Sequence, residues 1–259
     1  MESSNPAFKG IDKAVAAQQA PSAAYLQQMY DQPAYTGPRT PTRLLTLDDV
    51  VAKTAMVLGT AIVAGGLTAY FHAYAAILPA LIVGFVLSLV VIFKRSTNPA
   101  LILSYAAAEG VVLGGISGWI ESLGPQYSGI ALQAIVGTLG VFGGMLIVYK
   151  TGAIRVTPKF TRMLLGAMIG VVVLMVFNLV MSLFGVNTHL RDGGTLAIVF
   201  SIVCIAIAAL SFLLDFDAID KALKIGAPAN FAWYFAFGLM VTLVWLYLEI
   251  LRLLSYMRN

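Results

Sequence analysis

The sequence predicts an all-α integral membrane protein of seven transmembrane helices, on three observations. Of its 259 residues 59% are hydrophobic and 11% charged, less than half the roughly 25% charged share of a soluble domain. The mean hydropathy is +0.88. Long apolar runs recur between Val51 and Tyr256, each close to the ~20 residues that a helix needs to cross a hydrocarbon core of about 30 Å. A transmembrane barrel would show alternating segments of about ten residues, and none is present. One cysteine, Cys204, excludes a disulfide scaffold. The composition as a whole excludes a soluble enzyme and a disordered chain.

Residues 1–47 are rich in Ser, Ala, Gln, Pro and Gly, lack the apolar core of a signal peptide, and read as a flexible cytoplasmic tail ahead of a membrane domain at 48–259. The first span, 50–71, is preceded by Leu45-Thr-Leu-Asp-Asp49, in which Thr46 or Asp48 can cap the helix. The others are expected at 75–93, 100–122, 127–149, 162–185, 195–216 and 231–256. Prolines fall before Leu47 or between spans, except Pro79. Glycines four apart (Gly110, Gly114 and Gly118; Gly140 and Gly144; Gly166 and Gly170) let helix backbones approach closely in lipid, and predict tight bundling within the chain.

Orientation follows from lysine and arginine. With the amino terminus inside, thirteen of the sixteen lie on the cytoplasmic side and Arg191, Arg252 and Arg258 on the other, a strong bias under the positive-inside rule. A re-entrant last segment would shift the tally to fifteen against one. That segment is long enough to span, so the carboxyl terminus is expected outside.

Three acids, Glu109, Asp215 and Glu249, fall inside apolar runs. A charge at mid-membrane costs about 2.5–3.5 kcal/mol on insertion scales, so such groups face the bundle interior or water and are functional candidates. Glu121 and Asp192 lie at span ends, and His72 and His189 in short outer connections, where solvated roles suffice. On the sixth span Ser201, Cys204, Ala208, Ser211 and Asp215 share one helical face. On the seventh Gly238, Thr242, Trp245, Glu249, Arg252 and Tyr256 do the same.

Three readings of these seams stand side by side. The two carboxylates can meet and share a proton, titrating as a coupled pair that latches two helices; Arg252 can neutralise Glu249 in a static ion pair; or each acid can be satisfied separately. Calcium takes six to eight oxygens, more than Glu109, Asp215, Glu249 and nearby hydroxyls supply. A weak transit site near Asp215 and Glu249 is compatible, a tight one is not. No phosphate loop, HExxH or paired CxxC occurs, so no catalytic residue and no cofactor is assigned.

These residues resemble the transmembrane Bax inhibitor motif family, in particular its bacterial branch. The resemblance runs from about Leu78 to the end and is most specific at Ser211-Phe-Leu-Leu-Asp-Phe-Asp-Ala-Ile219 and Trp245-Leu-Tyr-Leu-Glu-Ile-Leu-Arg-Leu-Leu254. Weaker echoes are Tyr105–Gly114, Ala134–Gly140 and Phe177–Val180, and the tail before Leu47 stands outside it. The resemblance implies a last helix that is central and surrounded by the other six. It also implies two acids in the last two helices acting as a pH-responsive latch over a calcium leak path, here Asp215 and Glu249. A basic residue at the inner end of the second helix, Arg95 or Lys94, would tune it. The family's acid one helix-length earlier falls near Val83 or Gly84, where none stands, and Glu109 is the candidate substitute.

Thirty-four positions separate Asp215 from Glu249. A hairpin turning near residue 232 puts them at equal depth. One turning at Gly226–Pro228 offsets them by about ten residues, roughly 15 Å of rise. An amphipathic stretch, Asp217–Ile225, lying along the inner interface can absorb that offset.

The expected function is a pH-regulated calcium leak, with Asp215 and Glu249 as latch and Arg252, Glu109, Arg95, Lys94, Ser211 and Thr242 in support. Alternatives are a proton-coupled cation exchanger, or a regulatory membrane partner of a protease or stress-response complex acting through the tail. Expected partners are the lipid bilayer, Ca2+ and H+, with a membrane protein partner possible and no nucleic acid. The expected location is the bacterial cytoplasmic membrane.

Overall fold

The computed structural model describes residues 43–186 and 188–258, together with Ala23 and Gln27; the rest of the predicted tail lies outside the described residues. Seven helices follow one another, α1 (Leu47–Tyr70), α2 (Ile77–Lys94), α3 (Pro99–Ser122), α4 (Ile130–Thr151), α5 (Pro158–Leu183), α6 (Thr195–Lys224) and α7 (Phe231–Met257), with 3-10 turns at Tyr74–Ala76 and Pro125–Tyr127. All seven are long and apolar enough to cross a membrane.

The helix starts obey local chemistry. Thr46 and Asp49 form a reciprocal capping box at α1, with the Asp49 N–H donating to Thr46 Oγ1 at 3.2 Å. Asn98 caps α3, Thr157 caps α5, and proline takes the first position of both helices, where its missing N–H leaves no intrahelical bond unmade. Pro79 falls in the first turn of α2, which explains how a span tolerates it.

The sixth span runs further than expected. Asp217–Ile225 does not lie along the interface as a separate segment; α6 continues through it to Lys224. Lys221 pairs with Asp217 and Lys224 with Asp220 one turn earlier, so this last stretch is held as a charged continuation of the helix. The chain then turns at Gly226 (φ 67°).

Glycine spacing divides into two kinds. A Cβ on Gly110 would sit 2.3 Å from the Ala61 carbonyl oxygen and one on Gly114 2.1 Å from that of Gly65, so α1 and α3 touch backbone to backbone. Gly140, Gly144, Gly166 and Gly170 have nothing within 4 Å of that position. Tight bundling through these four is therefore corrected: their small faces are turned away from the helices of this chain.

Helix α7 is the most buried of the seven, α2 and α5 the least. It packs extensively on α1, α3, α4 and α6, while α2 lies chiefly on α3 and α5 on α6. Phe142 meets Phe212 edge-on at 5.2 Å and Phe216 at 5.6 Å, tying α4 to α6. Just before α1, the Leu45 N–H donates to the Ala227 carbonyl and the Ala229 N–H to that of Arg43, both at 2.8 Å. This two-residue bridge fastens the entry of α1 to the α6–α7 turn.

Candidate functional site

The α6–α7 turn occupies residues 225–230, and this decides which groups of the two seams meet. At the depth of Asp215, α7 presents Thr242, whose Oγ1 donates to Asp215 Oδ2 at 2.8 Å. Glu249 lies seven residues, about 10 Å, further along α7. The seams face each other as their spacing predicts, but the carboxylates do not meet. A shared proton between Asp215 and Glu249 is thus replaced by two separate contacts, because α6 runs unbroken to Lys224 and the hairpin turns directly after it.

Glu249 is held otherwise. Its side chain is 2% exposed, and Oε1 accepts from Arg252 Nη1 at 2.9 Å and from Arg191 Nη2 at 3.4 Å. Its second oxygen, Oε2, is buried without a hydrogen-bond partner. The Arg252 pairing realises the ion-pair alternative. Arg191 is the group that sequence reasoning missed. It stands in the connection between α5 and α6, its guanidinium reaches the buried Glu249, and Tyr256 Oη donates to its backbone carbonyl at 3.2 Å. The seam spacing had placed Tyr256 on the right face, but nothing local links residue 191 to residue 249.

Outside the spans, the pKa of Arg191 is pulled below the ordinary arginine value, first by burial and next by the neighbouring Arg252, with Glu249 opposing. Asp192 is held below the usual carboxylate range, first by the Gly194 N–H and then by His189. Arg191 and Asp192 line a cavity of about 330 Å³ with Asn178, Ser182 and Thr188, next to the buried Glu249 pair.

The supporting residues divide. Thr242 joins Asp215. Ser211 is buried, but its hydroxyl donates to the Ile207 carbonyl at 2.9 Å and lies 3.8 Å from Met168 Sδ, so it does not serve Asp215. Arg95 ends α2 in a left-handed conformation (φ 45°). It and Lys94 are exposed, and no ion pair among the described residues includes either. Glu109 lies in α3, and its Oε1 is 3.2 Å from where a Gly84 Cβ would be. A carboxyl group from α3 thus lies beside Gly84 of α2, near where the resemblance implied an acid. It stays on the α2–α3 side, apart from Asp215 and Glu249.

Among the described residues no three His, Cys, Asp or Glu side chains gather in a metal-binding group.

No curated protein matches the chain in sequence. The family described as Bax inhibitor 1 like matches residues 5–259, so all but the first four residues of the segment before Leu47, which the resemblance left outside, fall within the match. With seven apolar helices and this match over nearly its whole length, the chain is a membrane protein that belongs to the Bax inhibitor 1 like family.

Proposed function

We propose that the protein is a pH-regulated calcium leak pathway in which the carboxylates of α6 and α7 form two successive latches. The observation that carries this reading is the Thr242–Asp215 hydrogen bond across the α6–α7 seam. An ionised Asp215 accepts a charge-assisted bond from Thr242, and protonation removes both that charge and the attraction for a cation. The second latch is Glu249, closed by Arg252 and Arg191. A carboxylate held by two guanidinia admits a cation only after one of them leaves, and Arg191, carried on a loop, is the one that can. The reading keeps the amino terminus inside, so that Asp215 faces the inner half of the path and Glu249 the outer half.

The test is calcium flux into indicator-loaded liposomes across a series of pH values. Asp215→Asn fixes the uncharged form and should flatten the pH response. Glu249→Gln frees both guanidinia and should lower the flux. Wild-type flux and pH profile in both variants would overturn the reading.

A further inference from the structure

Away from the α6–α7 seam lies a cavity of about 270 Å³ bounded by α1, α3, α4 and α7. Its floor is the backbone-to-backbone contact of α1 and α3 at Gly65, Gly110 and Gly114. Helices α1 and α4 flank it without an extended contact between them, so the cavity opens sideways, toward lipid. On α1 its lining runs from Leu58 to Ala69 and on α3 from Gly110 to Glu121. Each stretch rises about 16 Å at 1.5 Å per residue, half of a hydrocarbon core of about 30 Å.

The walls are apolar along this length. Of the lining hydroxyls, Ser117 Oγ and Tyr247 Oη bond to each other at 2.6 Å and Thr138 Oγ1 donates to the Ala134 carbonyl at 2.7 Å, so none asks for a ligand partner. At one end stands Glu121, in the last turn of α3. Its Oε1 accepts from the Ala131 N–H at 3.1 Å, and a carboxylate has capacity for further donors.

A slot one leaflet deep, greasy along its shaft and acidic at its mouth, fits a lipid whose head carries a hydrogen-bonding cation. We propose that this groove is a binding site for an aminophospholipid, one acyl chain lying between α1 and α4 and the head-group ammonium on Glu121. The groove is independent of the leak reading: neither Asp215 nor Glu249 lines it.

Gly66 provides a clean test. It lines the groove, and a Cβ added there meets nothing within 4 Å, so the side chain of Gly66→Phe starts in open space at the slot. Gly59 is equally open but outside the groove, so Gly59→Phe is the control. Each protein is equilibrated with equal amounts of phosphatidylethanolamine and phosphatidylglycerol, and retained lipid is counted by native mass spectrometry. Thermal unfolding confirms that each variant is folded.

The wild type and Gly59→Phe should retain one phosphatidylethanolamine in preference to phosphatidylglycerol. Gly66→Phe should lose that retention about tenfold, and Glu121→Gln should keep a lipid but lose the preference. Equal retention in Gly66→Phe and wild type overturns the site. Equal retention of the two lipids by the wild type overturns the head-group assignment. No retained lipid, with a dimer that Gly66→Phe disrupts, assigns the groove to a second copy instead.

Discussion

Glu249 and Arg252 offer the sharpest quantitative test. Arg252→Leu leaves a carboxylate that is 2% exposed with only its 3.4 Å contact to Arg191. Removing one partner of a buried pair costs about 3–5 kcal/mol. Arg191 keeps part of the compensation, which places the expected loss near the lower end, about 3 kcal/mol. Glu249→Leu is milder, about 1 kcal/mol, because two partly exposed guanidinia can turn to water. The double variant puts leucine at both positions and should fall within about 1 kcal/mol of wild type. The cycle therefore predicts a coupling of about 3–5 kcal/mol. Unfolding in mixed micelles at rising denaturing-detergent fraction, followed by fluorescence of Trp119, Trp233 and Trp245, measures it. Additive single substitutions, or a loss below about 1 kcal/mol in Arg252→Leu, would refute a tightly held pair.

Three further outcomes follow from the same geometry. Thr242→Val should cost about 1.5–3 kcal/mol by removing a donor to a carboxylate, and Thr242→Ser should restore most of it in the same unfolding assay. Gly114→Ala puts a Cβ 2.1 Å from the Gly65 carbonyl and should destabilise by at least about 1–3 kcal/mol, whereas Gly140→Ala should be neutral or stabilising; equal melting temperatures would contradict the α1–α3 contact. Asp192 has a depressed folded-state pKa, so its stabilising effect is present above the unfolded value and lost as pH falls through the folded one. Hydrogen exchange in residues 188–194 should accelerate below about pH 4, and Asp192→Asn should remove that step.

Much of this architecture is written locally. Apolar run length placed all seven helices, and Thr46 announced the start of the first. The face shared by Ser201, Cys204, Ala208, Ser211 and Asp215 was legible because helical period is a property of neighbours. The α6–α7 register was not. It depends on where the turn falls, and the charged pairs of Asp217–Lys224 satisfy a continuing helix as well as an interfacial one. Arg191 was illegible for a different reason: its partner is 58 positions away and the connecting loop carries no period. Gly140 and Gly110 look alike in sequence, since spacing tells which residues share a face but not what that face meets.

The strap between Arg43–Leu45 and Ala227–Ala229 clasps the membrane domain at one of its ends. Those residues grip the hinge from which both acid-bearing rods emerge. The strap's two backbone hydrogen bonds make the entry of α1 and that turn a single jointed piece, so a shift in one is felt by the other.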